Sequence, residues 1–238
     1  MTNFADSKPI IIIVSAHSEW RATLALYNSL TLQSSPVGTW FETMIPVHGL
    51  PHRVIFFHGG WGKIPAAAST QYVIDRWNPI LLVNLATCGG FEGEIESDEV
   101  ILAERTVVYD IIEQMGDPES AINHFSTQLD LSWLQEPYPH PVRRTVLVSA
   151  DRDILVEDVP MLKEKYGAIA GDWESGAIAY VAKRNNLRCL ILRGVTDIAG
   201  KNGDKTYGAL ELFQQAANRV MSNLIHSLPE WLDKIQDL

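Results

Sequence analysis

The sequence predicts an α/β protein whose central sheet is covered by helices on both faces. Three observations carry that prediction. Strand-like and helix-like segments alternate along the chain. Several strand segments are apolar at nearly every position, as in strands buried on both faces. Glycines and polar residues gather directly after those runs, where open α/β sheets bind ligands. With 238 residues, 46% of them apolar, the chain suits one large domain over residues 1–238.

Each element follows from its local pattern. Residues 10–15 are a buried strand. Residues 18–30 are a helix, with Trp20, Leu24 and Tyr27 on one face and Ser18 as N-cap. Residues 39–46 and 53–58 form a strand pair turning through Gly49-Leu50-Pro51. Residues 63–76 are an alanine-rich helix with Pro65 near its start. Strands follow at 80–85 and 100–109. Residues 111–141 hold four prolines and little pattern, and read as an excursion or lid. A strand at 145–149 precedes helices at 159–166 and 173–185, the latter with Asp172 as N-cap. A strand at 188–195 and a long helix at 206–228 close the chain.

Composition narrows the partners. The net charge of −10 argues against nucleic acid or an anionic membrane surface. The apolar run at 10–14 is far short of the roughly 20 residues that span a bilayer, and it lacks a signal-peptide layout. Cys88 and Cys189 sit in apolar runs and read as free thiols of a cytoplasmic protein. His48, His52 and His58 straddle a hairpin and match no zinc spacing, so no metal ligand is assigned. Gly60-Trp61-Gly62 is not a dinucleotide fingerprint: Pro65 stands at its third glycine, and no acid ends a clean strand about 20 residues later.

Two segments read together become specific. They are Gly171-Asp172-Trp173-Glu174-Ser175-Gly176-Ala177 and Arg193-Gly194-Val195-Thr196-Asp197. This pairing resembles the nucleoside phosphorylase and nucleosidase superfamily, and within it the methylthioadenosine/S-adenosylhomocysteine nucleosidase group. That group carries a Met-Glu-x-x-Ala helix start and an Arg-x-x-Ser-Asp strand end. Asn84 to Gly90 and Gly60 to Ala67 resemble two of its glycine-containing loops.

The resemblance implies a three-layer α/β/α sandwich around a mixed, partly barrel-like sheet. It implies cleavage of a purine nucleoside without metal or organic cofactor, in a homodimer or higher homo-oligomer, and the excursion at 111–141 is a candidate for the contact between copies. Glu174 would accept hydrogen bonds from ribose hydroxyls, and Asp197 would protonate the purine N7. Trp173 would pack on sugar or base, and Arg193 would brace the acidic pair. Thr87, Cys88 and Gly89 would line the ribose side, with Thr196, Ile154, Ala16 and His17 completing the substrate contacts. The chemistry agrees. A positioned acid helps a base depart, and a carboxylate near the ribose favours a cationic sugar.

Three departures mark the nucleophile side and the base edge. The nucleosidases' water-activating glutamate aligns with Trp20, whereas Glu19 lies one residue, or about 100° of helix, aside. Arg21 falls at the phosphorylases' first phosphate-binding arginine, but Asn84 falls at their second. Asp153 replaces an aromatic that flanks the purine. Glu19 is the candidate base, Arg21 the candidate phosphate ligand, and Asp153 a candidate determinant of base selection. Hydrolysis is the expected reaction, with phosphorolysis and binding without turnover as the open alternatives.

Overall fold

The run Ile10–Val14 forms strand β1, and every side chain in it is buried. Both of its faces must therefore be covered. Its even-numbered residues join Trp20, Val220, Met221 and Leu224 in one apolar cluster. Ile11 and Ile13 join Ala66, Val73, Ile178 and Ala182 in another. The alternation of a strand's side chains thus separates two helical layers.

The computed structural model describes residues 7–200 and 209–237. In chain order the elements are β1, α1 (His17–Ala25), β2 (Gln33–Ser35), β3 (Gly38–Val47), β4 (Leu50–His58), α2 (Lys63–Trp77), β5 (Leu81–Phe91) and β6 (Val100–Val108). Then come α3 (Pro118–His124), β7 (Thr127–Gln128), β8 (Arg143–Ser149), α4 (Val159–Tyr166), β9 (Ala168–Asp172), α5 (Ser175–Arg184), β10 (Cys189–Ala199) and α6 (Leu210–Leu232). Helices α1 and α6 cover one face of the sheet, and α2 and α5 the other.

The sheet is mixed and partly closed. β10 pairs with β5 and β6, β6 with β8, β8 with β9, and β9 returns to β5. These five strands make a ring, from which β1, β4, β3 and β2 extend as an open wing. β5 serves three neighbours because it is long. Its first residues pair with β1, Gly89 and Gly90 pair with β9, and β10 runs beside most of its length. The expected α/β/α sandwich with a partial barrel is the fold observed.

Several boundaries differ from those the pattern predicts. Helix α1 starts one residue early, at His17, and ends at Ala25, with Ala16 rather than Ser18 as N-cap. The hairpin turn is His48-Gly49, with φ of 51° and 76°, so Leu50 and Pro51 belong to β4. A two-residue turn with both φ values positive matches the right-handed twist of the flanking strands. β5 and β10 run on through the glycines and polar residues expected to follow them, because each is paired along that stretch. The sequence pattern missed β9, whose five residues include a glycine and an aspartate. Asp172 ends that strand, and α5 begins only at Ser175, with Glu174 as N-cap.

The 111–141 excursion carries α3, capped by the Asp117 side chain, and β7 paired to β6. The last helix passes its expected end at 228 and takes in Pro229, because Trp231 and Leu232 are fully buried beyond it. Its expected start at 206 lies outside the described residues. Cys88 and Cys189 are buried and free. Among the described residues no helix is long and apolar enough to cross a membrane.

Glycine in the middle of β10 has a packing cause. A Cβ on Gly194 would sit 2.3 Å from Val220 Cγ1 of α6. The bare backbone lets α6 press directly on the strand that carries the site. Gly194→Ala is expected to cost about 1–3 kcal/mol of stability through overpacking. Val220→Ala in the same chain should recover part of that loss. Urea midpoints of the single and double variants check it, and an unchanged midpoint for Gly194→Ala would contradict it.

Candidate active site

The site grows from the carboxyl halves of β5 and β10. These strands run parallel with Gly194 beside Thr87 and Val195 beside Cys88. A bulge then shifts the register, and Asp197 lies beside Gly89. A bulge re-aims the side chains that follow it. A Cβ on Gly89 would stand 3.1 Å from Asp197 Oδ2 and 3.3 Å from Ile154 Cδ1. Glycine thus lets a carboxylate and an apolar side chain approach the same backbone. The Thr196 hydroxyl donates to Asp197 Oδ1 at 2.8 Å.

Glu19 enters from the start of α1. One oxygen accepts the Ala16 N–H at 3.0 Å, turning the side chain back on its own helix end. The other accepts the Thr87 N–H at 2.7 Å and the Thr87 hydroxyl at 2.8 Å. An acid in the first turn is also favoured by the helix dipole. The group is 2% exposed. Trp20, one step round the helix, points into the core and stacks on His58 at 5.4 Å. Burial and neighbouring His17 push the His58 ring down to about 4, so it is neutral at pH 7.

Beneath the cavity lies a buried ion pair. Arg193 is fully buried and donates from Nε to Asp172 Oδ2 at 2.8 Å. Its other nitrogens reach Asn84 Oδ1 and the Asn84 carbonyl. Asp172 also accepts the Ser149 hydroxyl at 2.5 Å and the Ser175 hydroxyl at 2.9 Å. Glu174, two residues on, accepts the Gly62 N–H at 2.9 Å. Burial, then the charges of Asp172 and Glu19, push the Glu174 carboxyl up to about 8, against the pull of the Gly62 N–H and Arg193.

One cavity of about 610 Å³ gathers most of the residues picked from the sequence. Ala16, His17, Glu19, Thr87, Cys88, Gly89, Asp153, Ile154, Trp173, Glu174, Thr196 and Asp197 line it. Two candidates lie elsewhere. Arg21 is exposed and absent from the lining, because the turn of helix that brings Glu19 in carries it out. Arg193 is sealed below the cavity floor, where it braces Asp172 and Asn84 rather than Glu174 and Asp197.

Sequence reasoning missed Trp61, Asp172, Leu210 and Phe213, which also line the cavity. Trp61 stacks on Trp173 at 4.8 Å and remains 59% exposed. Its one visible signal was a large aromatic between two glycines after a strand. Among the described residues, no lysine or arginine lines the cavity.

The raised Glu174 carboxyl has a stability consequence. The folded chain holds that proton more tightly than the unfolded chain does. The resulting stability is complete below the ordinary value of 4.5 and is lost as pH rises through about 8. Glu174→Gln removes the titration and keeps an acceptor for Gly62. Its Tm should therefore exceed the parent's above pH 8, with the gap closing toward pH 4.5. Each kcal/mol corresponds to roughly 2–4 °C at this size. Thermal scans across that range check it, and a gap that narrows as pH rises would refute it.

Both the sequence and the fold resemble those of known proteins. A family profile described as the phosphorylase superfamily matches residues 10–229. A 5'-methylthioadenosine/S-adenosylhomocysteine nucleosidase of Thermotoga maritima is 28% identical over 158 residues, covering 66% of this chain and 71% of that protein. One from Bacillus cytotoxicus is 25% identical over 191 residues, covering 75% and 82%. Among solved structures, the Helicobacter pylori 5'-methylthioadenosine/S-adenosylhomocysteine nucleosidase with butyl-thio-DADMe-Immucillin-A superposes with a TM-score of 0.76 at 16% identity, covering 94% of this chain and 99% of that one. The Neisseria meningitidis enzyme with methylthio-immucillin-A gives 0.73 at 17% identity, covering 96% and 100%.

Proposed function

We propose, from the premise that this chain belongs to the phosphorylase superfamily, that it hydrolyses the N-glycosidic bond of a purine nucleoside. The substrate is of the adenosine type, with 5'-thio-substituted members in its range. The products are the free base and the ribose moiety. One observation carries the reading: Glu19, Glu174 and Asp197 line a single cavity, and no lysine or arginine does so among the described residues.

Each carboxylate has a distinct task. Glu19, held by Thr87 and Ala16, orients a water and takes its proton as the oxygen bonds to the anomeric carbon. Protonated Asp197, on the Gly89 side, gives its proton to the base as the carbon–nitrogen bond breaks. Glu174 accepts hydrogen bonds from the ribose hydroxyls and offsets positive charge developing on the sugar. Trp173, stacked on Trp61, supplies a flat apolar wall.

Among the described residues, the two positions that would supply cations for phosphorolysis do not do so. Arg21 is outside the cavity, and Asn84 is engaged beneath it by Arg193 and the Ile13 carbonyl. Binding without turnover would suit a site that had lost its base, whereas Glu19 on the cavity wall supports a reading with one. We extend the proposal to a single-domain, cytoplasmic protein that acts as a homo-oligomer. One sheet drawing strands from Ile10 to Ala199 supports the single domain. Two exposed apolar side chains of the 111–141 region, Ile112 and Met115, support the contact.

Free base measured by chromatography tests the reading. Asp197→Asn and Glu19→Gln should each lower kcat by roughly 10²–10⁴-fold. Added phosphate should leave the rate unchanged. Undiminished release from Asp197→Asn would remove the acid, and a rate proportional to phosphate would replace hydrolysis with phosphorolysis.

A further inference from the structure

The turn between β4 and α2 makes contacts that the proposed chemistry has not used. Gly62 has φ of +90°, and its N–H points to Glu174. The next N–H, of Lys63, points to Asp151 Oδ1 at 2.7 Å. Two successive amides therefore serve carboxylates on two different loops. A Cβ on Gly62 would lie 3.1 Å from Asp151 Oδ1, so glycine also admits that carboxylate.

The Lys63 side chain closes the arrangement. Its ammonium pairs with Asp110, just past β6, and lies 3.7 Å from Asp151 Oδ2, in the loop after β8. Asp110 in turn accepts the Asp151 N–H at 3.0 Å. The side chains of Lys63 and Asp110 are each only 17% exposed. Three loops from three strands are thus tied at one ammonium, next to the amide that meets Glu174.

We propose that Lys63, with Asp110 and Asp151, is a positioning residue that holds the Gly62 N–H on the Glu174 carboxylate. The catalytic part rests on the reading of Glu174 as the ribose-side carboxylate; the positioning part does not. Glu174 faces Asp172 from β9, Glu19 from α1, Arg193 from β10 and the Gly62 N–H from this turn. The first two oppose its ionisation and the last two favour it. Release of the Gly62 N–H removes one of the two groups that favour its charged form.

The test uses the full chain with ¹³C-labelled glutamate and ¹⁵N-labelled glycine. Carboxyl and amide resonances are followed against pH, with Glu174 assigned from Glu174→Gln. In the parent, the Gly62 amide should titrate together with Glu174. In Lys63→Met the Glu174 midpoint should rise by about one unit, and the Gly62 amide should stop following it. Lys63→Arg should restore both.

The acid limb of kcat/KM should move up with the Glu174 midpoint. Asp110→Asn keeps the shape of its partner and decides the matter where Lys63→Met fails to fold. A Gly62 amide that still follows Glu174 in Lys63→Met, or in Asp110→Asn where Lys63→Met does not fold, overturns the proposal. Loss of charge alone would leave that coupling intact. Should the parent release no base from any nucleoside, the hydrolase reading fails while the resonances still judge the clamp.

Discussion

The buried pair of Arg193 and Asp172 is the interaction on which the rest of the site depends. Through it β10 meets β9, and through Asn84 it also reaches β5. Asp172 extends the link to β8 by Ser149 and to α5 by Ser175. Most of the closed ring is therefore tied to one guanidinium. Removing one partner from such a pair leaves an uncompensated charge in the interior, at about 3–5 kcal/mol. The pair is retained beneath a cavity, where its geometry fixes the strand ends that carry Thr87, Glu174 and Asp197.

The same pair sets the electrical state above it. One guanidinium faces Asp172, Glu174 and Glu19, so the buried cluster has more carboxylates than cations. Burial first, and then the charges of Asp172 and Glu19, make Glu174 resist ionisation. A carboxylate held with difficulty in its charged form has much to gain from positive charge nearby. In the proposed reaction a ribose passing through a cationic transition state would supply that charge, which would match the group to the transition state better than to the ground state. An anionic nucleophile would face the opposite interaction with all three acids.

Much of this was readable from residues alone. The alternation of apolar runs and helices indicates the three layers, because each layer must bury its own face. The paired acidic segments lead to Glu174 and Asp197, and both line the cavity. Other features were hidden for identifiable reasons. The short β9 contains glycine and aspartate, which pattern reading assigns to a turn, and only pairing with β5 and β8 makes it a strand. Asp172 reads as a helix cap, and its carboxylate does accept the Ser175 N–H, but its ion-pair partner Arg193 is 21 residues away in sequence. Trp61 carries no pattern of its own, and its place follows from stacking on Trp173.

The start of α1 shows why helix phase outranks alignment. Glu19, Trp20 and Arg21 are consecutive, so about 100° of rotation separates each from the next. Only one of them can face the cavity. Two constraints choose it. The Glu19 carboxylate closes on the Ala16 N–H, which fixes where the helix begins. Trp20 finds an apolar seat against His58 and Phe41, which fixes which side turns inward. Arg21 is then left to solvent. A residue count that matches Trp20 to a glutamate assumes a fixed helix start, whereas the physical start is set by the acid itself.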